Sequence, residues 1–206
     1  MSMFTKHEMS ILHKTKQKFV KKLIKGIDPN TFDHYTSRVK TNKSIITKLN
    51  TKNINPTKEN AISQLHDIIG IRIITHYIEE IYEIANYIKQ NYNVEIEKDY
   101  IKNPKPNGYR SYHIIIRIPI LQPKKDFKYG ETINVEIQIR TMGMDFWASI
   151  EHFMFYEKNK SNKPITNIDL TNIQKEMAQD AETIYTIDTH LQQMSHDIQY
   201  LQDTNL

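Results

Sequence analysis

The segment TINVEIQIR, residues 132–140, alternates without a break: Ile133, Val135, Ile137 and Ile139 on one side, Asn134, Glu136, Gln138 and Arg140 on the other. Successive side chains of a strand point to opposite faces, so this stretch commits a sheet to one apolar and one polar surface. A second strand, DIIGIRIIT over 67–75, is β-branched and apolar, but Asp67 opens it and Arg72 interrupts it. Polar groups on such strands face either water or a cleft. Antiparallel sheets often keep one wet face, so the pattern by itself leaves both readings open.

The remaining elements follow from periodicity and punctuation. Over 8–27, Met9, Ile11, Leu12, Phe19, Leu23 and Ile24 recur near helical spacing, with lysines between them. Asp28-Pro29-Asn30 ends that helix, and Thr31 can cap the next one. Residues 32–50 read as chain that enters a helix near Ser44, and 53–57, with Pro56, read as a loop. Ile81, Ile84, Ala85 and Ile88 form one face of a helix over 79–92. A short strand at 94–100, a Pro-rich turn and a strand at 111–120 come next. A polar hairpin connection containing Pro123 and Gly130 leads into strand 132–140.

From Asp145 the period turns helical, and Phe146, Trp147, Ile150, Phe153 and Met154 read as a core stripe. A loop at 159–167 precedes an amphipathic helical stretch, 168–202. Helical arm, β-rich centre with one crossover helix, helical arm: this order predicts one α+β domain with a mixed sheet flanked by N- and C-terminal helices. Within it, residues 1–30 hold the basic N-terminal helix, 31–160 the core and 167–206 the helical tail.

Bulk properties narrow the function classes. The chain has 206 residues, enough for one sizeable domain. It lacks cysteine, which excludes disulfides and thiolate catalysis and fits a reducing compartment. No apolar run approaches the ~18 residues of a membrane helix. The polar start has no signal-peptide core, which points to the cytoplasm. The net charge of +4 is a mild excess, concentrated in the lysines of residues 1–60, while 167–206 lean acidic. Such a balance suits anionic ligands without requiring them.

Asp67 and Glu136 place carboxylates on separate strands, a usual way to hold Mg²⁺, which takes one or two carboxylates together with substrate phosphates. Phosphoryl transfer asks a protein mainly for metal, cations and positioning. Arg72, Arg110, Arg140, Lys102 and Lys105 supply cations, and arginine adds a planar fork that matches phosphate oxygens. Tyr109, directly after Gly108 in NPKPNGYRSYH, can offer an aromatic face to a base. A Gly-rich loop of the Walker kind is absent.

Four ordered segments, RVKTNKSIITKL, DIIGIR, KDYIKNPKPNGYRSYH and VEIQIRTMGMDFWASIEH, together resemble the RelA/SpoT-type alarmone synthetases, in particular the small single-domain kind. The resemblance spans roughly residues 35–158 and implies a nucleotidyltransferase-like core. It also implies transfer of the β,γ-pyrophosphate of ATP to the 3′ hydroxyl of a guanine nucleotide, giving ppGpp or its relatives and AMP. By that resemblance Asp67 is the main Mg²⁺ ligand, and Glu136 completes the metal site or takes the 3′ hydroxyl proton. Arg38 and Arg72 would sandwich adenine, with Lys40 and Lys48 on the ATP phosphates and Ser44 in the same donor segment. Tyr109 would stack on the acceptor guanine. His113 and Lys102 or Lys105 would contact acceptor phosphates, with Gln138 and Arg140 in support.

The same resemblance admits another acceptor. Some small members pyrophosphorylate the 3′ end of tRNA and act as toxins with an antitoxin partner. The exposed lysines expected at 14, 18, 21, 22 and 25 would then grip nucleic-acid phosphates. Small members also often form tetramers through terminal helices, and the apolar residues of 168–202 leave surface for that. The length leaves no room for a separate hydrolase domain, and the pairs His66-Asp67 and His196-Asp197 stand without the further ligands a metal-dependent phosphohydrolase needs.

Overall fold

The computed structural model describes residues 3–121, 126–128, 130–158 and 167–204. A five-stranded sheet runs in the order β1-β2-β5-β4-β3, built from His34–Val39 (β1), Ile69–Thr75 (β2), Val94–Asp99 (β3), Tyr112–Pro119 (β4) and Thr132–Thr141 (β5). β2 and β5 pair parallel, and every other neighbouring pair is antiparallel, so the sheet is mixed. Register puts Arg38 opposite Gly70, Gly70 opposite Glu136, and Arg72 and His113 both opposite Gln138. Since strand side chains alternate, these residues share one face of the sheet.

The other face is the core. Ile69, Ile71 and Ile73 of β2, Ile114 and Ile116 of β4, and Val135, Ile137 and Ile139 of β5 are buried there. Leu12 and Leu23 of α1 (Lys6–Lys25) and Ile81, Ile84 and Ile88 of α4 (Ile78–Asn91) join them. Each such side chain contributes about 1.5–3 kcal/mol on leaving water, so the isoleucine periodicity of β5 largely decides which way the sheet faces.

Three short elements carry weaker sequence signals. β1 lies where the sequence reads as a chain entering helix. Most of its residues are exposed and it lacks alternation, because an edge strand is held by backbone pairing to β2. The following helix, α2 (Asn42–Thr51), starts two residues before Ser44, where the Thr41 side chain accepts the Ser44 N–H. α3 (Lys58–Gln64) is capped in the same way by Thr57 and buries little beyond Ala61. Of the expected connections, Pro123 and residues 159–166 lie outside the described residues, and Gly130 adopts φ +77°.

The last two helices are α5 (Met142–Lys158) and α6 (Asn167–Thr204). Their contact corrects the expected core stripe. Trp147 is buried and its indole N–H donates to Met177 O at 2.9 Å. Phe146 and Phe153, however, are 64% and 65% exposed, and Ile150 and Met154 are exposed too. Periodicity identifies an apolar helix face, but α6 covers the side of α5 that carries Trp147 and Ala148. Gly143 lets the helices approach: a Cβ there would lie 2.8 Å from both Asp188 Oδ1 and Ile184 Cγ2.

Asp188 is buried at this junction and accepts the Thr141 hydroxyl. Burial raises its pKa, and the Thr141 hydrogen bond only partly offsets that. A carboxyl whose folded pKa is raised stabilises the fold while protonated and loses that contribution as pH rises through the folded value. Asp188→Asn keeps an acceptor for Thr141 without the buried charge. Thermal melts of this variant should therefore gain about 2–4 °C over the wild type at pH 7.5 for each ~1 kcal/mol relieved, with little difference at pH 4.

Candidate active site

The polar sheet face is built around Asp67, which lies just before β2. Lys40 follows β1, and its backbone N–H is anchored on Ile68 O at 2.8 Å. The Thr41 cap then sets the direction of α2, so Lys48 comes back over the same carboxylate. Lys40 Nζ and Lys48 Nζ reach Asp67 Oδ2 at 2.6 and 2.7 Å. Asp67 Oδ1 is buried with no hydrogen-bond partner among the described residues. Burial pushes the Asp67 carboxyl up, but the two ammonium groups more than reverse this and hold it below the usual carboxylate range.

Asp67 opens onto a cleft of roughly 260 Å³, with Arg38, Gly70, Arg72, Glu136 and Gln138 also in its walls. Glu136 is held at both oxygens. Gln138 Nε2 donates to Oε2 at 2.9 Å, and His113 Nδ1 faces Oε1 at 3.3 Å. Burial raises the Glu136 carboxyl, and the His113 and Gln138 hydrogen bonds bring it below its ordinary value. His113 itself is lowered, chiefly by burial, and is a neutral imidazole at pH 7.

A closed hydrogen-bonded ring runs on from there. Arg140 Nη2 donates to Tyr109 Oη at 2.5 Å and to Gln138 Oε1 at 3.0 Å. Tyr109 Oη also meets His113 Nε2 at 2.8 Å, and the direction of that bond follows from the imidazole tautomer. An ionised Glu136 can only accept, so the tautomer that fits its contact carries the proton on Nδ1 and takes the Tyr109 hydroxyl at Nε2, and Gln138 closes the circuit. Arg140 is further tied to Ser111 Oγ at 3.3 Å and to Asp145 Oδ1 at 3.1 Å, the same oxygen that Arg72 Nη1 meets at 3.0 Å.

Of the residues singled out in the sequence, Asp67, Lys40 and Lys48 form one cluster, and Arg38, Arg72, Glu136 and Gln138 share its cleft. Tyr109, His113 and Arg140 join through the ring. Lys105 Nζ lies 4.4 Å from the Tyr109 ring centroid, within cation–π range. Lys102 instead sits over Tyr82 of α4, with Nζ 4.0 Å from Asp99. The exposed Ser44 bonds Thr41 through its hydroxyl in the first turn of α2. Arg110 corrects an expectation: it is buried and bonded to Ile101 O and Glu182, so it is not a cation open to phosphates.

Sequence reasoning missed Asp145 and Ser111. Asp145 reads as the acidic first turn of a helix, and Ser111 as a polar residue at a strand start. Only the fold brings them to Arg140. Among the described residues no group of three or more His, Cys, Asp or Glu converges to hold a metal. The unpartnered Asp67 Oδ1 and the Glu136 carboxylate in the same cleft instead offer hard oxygen donors. That set fits Mg²⁺, which draws its remaining ligands from phosphates and water.

Residues 37–161 match the family model described as a region found in RelA / SpoT proteins. The chain belongs to the RelA/SpoT family. It is 45% identical over 139 residues to GTP pyrophosphokinase YwaC of Bacillus subtilis (strain 168), a match covering 66% of this chain and 63% of that protein. Against GTP pyrophosphokinase YjbM of the same organism it is 37% identical over 132 residues, covering 63% and 59%. The matched stretch thus spans less than two thirds of either curated relative's length.

Solved RelA/SpoT-family structures align more completely. The small alarmone synthetase 2 from Bacillus subtilis superposes with a TM-score of 0.70 at 34% identity, over 90% of this chain and 92% of that one. The small alarmone synthetase 1 from Bacillus subtilis, bound to its product pppGpp, gives 0.74 at 28% identity, over 91% and 94%. The mixed sheet with its flanking helices is the fold of these synthetases.

The Asp67 cluster makes a direct electrostatic prediction. Removing one ammonium in Lys48→Met should raise the Asp67 carboxyl midpoint, followed by ¹³C NMR titration. Removing both, in Lys40→Met/Lys48→Met, should lift it above the ordinary aspartate value, because burial then acts unopposed.

Proposed function

We propose that this chain is an ATP-dependent pyrophosphokinase that moves the β,γ-pyrophosphate of ATP to the 3′ hydroxyl of GDP or GTP, releasing AMP and ppGpp or pppGpp. The observation that carries this reading is the Asp67–Glu136 cleft: a buried and a half-buried carboxylate facing one opening, flanked by Lys40, Lys48, Arg38 and Arg72. Its support is the family and the names of its relatives, which are GTP pyrophosphokinases.

In this reading Lys40 and Lys48 turn from Asp67 toward the triphosphate, and Arg38 and Arg72 bracket adenine. Asp67, with Glu136, would hold Mg²⁺, which when bound would neutralise charge on the transferred group. Glu136, ionised and oriented by His113 and Gln138, accepts the proton of the acceptor 3′ hydroxyl as that oxygen attacks the β-phosphorus. The bond between the β-phosphorus and the α-β bridging oxygen breaks, and AMP leaves with that oxygen. A carboxylate is a far weaker base than an alkoxide, so Glu136 polarises the hydroxyl during attack and does not strip it beforehand. Tyr109 supplies the face for guanine, with Lys105 and His113 at the acceptor phosphates. Gln138 and Arg140 hold that arrangement through the ring. Lys102, turned toward α4, is left out of it.

No described helix is long and apolar enough to cross a membrane, and the proposed substrates place the work in the cytoplasm. The names of the matched relatives give no support to the tRNA alternative or to the antitoxin that belonged with it. Self-association is part of the reading. Exposed Phe146, Ile150, Phe153 and Met154 recur on one face of α5, and Leu191, Met194, Ile198 and Leu201 at helical spacing on α6. A tetramer by light scattering, reduced to smaller species by Leu191→Glu/Ile198→Glu, is the expected outcome.

The deciding assay supplies ATP labelled in its β,γ-phosphates, Mg²⁺, and GMP, GDP, GTP or deacylated tRNA as acceptors. Label should appear on GDP and GTP. Asp67→Asn and Glu136→Gln should each lower kcat/KM by at least ~10²-fold while circular dichroism stays unchanged. Normal turnover by either variant would sink the assignment.

A further inference from the structure

The Pro-rich turn that carries Tyr109 is not self-supporting. The backbone hydrogen bonds within it are short-range, Gly108 N to Lys105 O at 2.8 Å and Lys105 N to Tyr109 O at 3.2 Å, and Gly108 adopts φ +89°; one side-chain bond, Asn107 Nδ2 to Glu151 Oε1 at 3.1 Å, ties it to α5. Beneath it lies α6. A Cβ on Gly108 would stand 2.6 Å from Ala181 Cβ and 2.9 Å from Ala178 Cα, so the turn rests directly on the helix. Tyr109 packs against the apolar cluster formed by Trp147 and Ala148 of α5 with Met177 and Ala181 of α6.

Arg110 makes the connection polar as well as steric. Only 9% exposed, it donates through Nη1 to Ile101 O at the start of the turn and through Nη2 to Glu182 Oε2 on α6, both at 2.5 Å. Its guanidinium carbon lies 4.1 Å from the Tyr185 ring centroid, again on α6. Among the described residues Arg110 Nε is buried without a partner, a desolvation cost that an apolar residue of similar volume would avoid. The contacts of this guanidinium run between turn and helix.

We infer that α6 is a structural part of the acceptor platform, with Arg110 and Glu182 as positioning residues that fix Tyr109. The inference rests on the reading of Tyr109 as the guanine platform. The route is short. Arg110 is the next residue after Tyr109, and Tyr109 Oη bonds His113, which in turn bonds Glu136. A turn loosened from α6 shifts the aromatic face and its hydrogen bond together, and a displacement near 1 Å is costly to a reacting geometry. The donor half, Asp67 with Lys40 and Lys48, hangs on β1, α2 and β2, and among the described residues its hydrogen bonds do not involve Glu182.

Glu182 is largely exposed, so Glu182→Ala folds without a buried gap and is the informative variant. Steady-state kinetics with ATP and GDP should show the KM for GDP raised about tenfold and the KM for ATP unchanged. Glu182→Gln, which keeps an acceptor oxygen for Arg110, should recover most of the loss, and Arg110→Lys, which cannot bridge Ile101 and Glu182 at once, should not. Amide hydrogen exchange across residues 100–110 should quicken in Glu182→Ala, whatever the activity. If the wild type transfers to GDP but the variant keeps its GDP KM within twofold, or both KM values rise together, the clamp is overturned and the Tyr109 reading stands. If exchange quickens but the wild type does not use guanine nucleotides, the Tyr109 reading is what fails.

Discussion

Everything on the polar face is arranged around one carboxylate that could not otherwise be buried. Taking an ion out of water costs several kcal/mol unless opposite charge and hydrogen bonds replace the solvent. Asp67 meets that demand with two ammonium groups on a single oxygen. This requirement explains elements that have little core of their own. β1 is an exposed edge strand, yet it delivers Lys40. α2 buries only Ile45 and Leu49, yet its Thr41 cap aims Lys48. Backbone pairing to β2 holds β1 and burial of Ile45 and Leu49 holds α2, and each completes the charge around Asp67.

The ring of Arg140, Tyr109, His113, Glu136 and Gln138 couples the two halves of the cleft. Its members come from β4, β5 and the turn before β4, so the tautomer of one imidazole reflects the position of three separate segments. Asp145 links this ring to Arg72 through a shared oxygen. A group bound at Arg72 and a group bound at Tyr109 are thereby connected through fixed hydrogen bonds and not through the apolar core.

Much of this is legible in the amino-acid order alone. The alternation of residues 132–140 sets the face of the sheet and places Glu136, Gln138 and Arg140 together. The four motifs locate Asp67, Lys40, Lys48 and Tyr109 by resemblance. The features that stay hidden have physical causes. β1 is stabilised by backbone pairing, which leaves no side-chain period to read. Phe146 and Phe153 obey helical spacing but face away from α6, and spacing cannot say which face a later helix will cover. Arg110 reads as a free cation because nothing local shows that Ile101 and Glu182 enclose it.

The dependence of the turn on α6 also bears on how the protein is made. A ribosome emits the chain from its N-terminus, and partly made domains begin to organise as they emerge. When β5 has emerged, the nascent chain already contains Asp67, Glu136 and both lysines. Gly108 then has no helix to rest on, Arg110 no carboxylate, and Thr141 no Asp188. Such a half-made molecule holds the carboxylates and cations of the cleft but not the support beneath Tyr109. The support beneath the turn is therefore the last part of this face to be completed, after its carboxylates and cations are already in the chain.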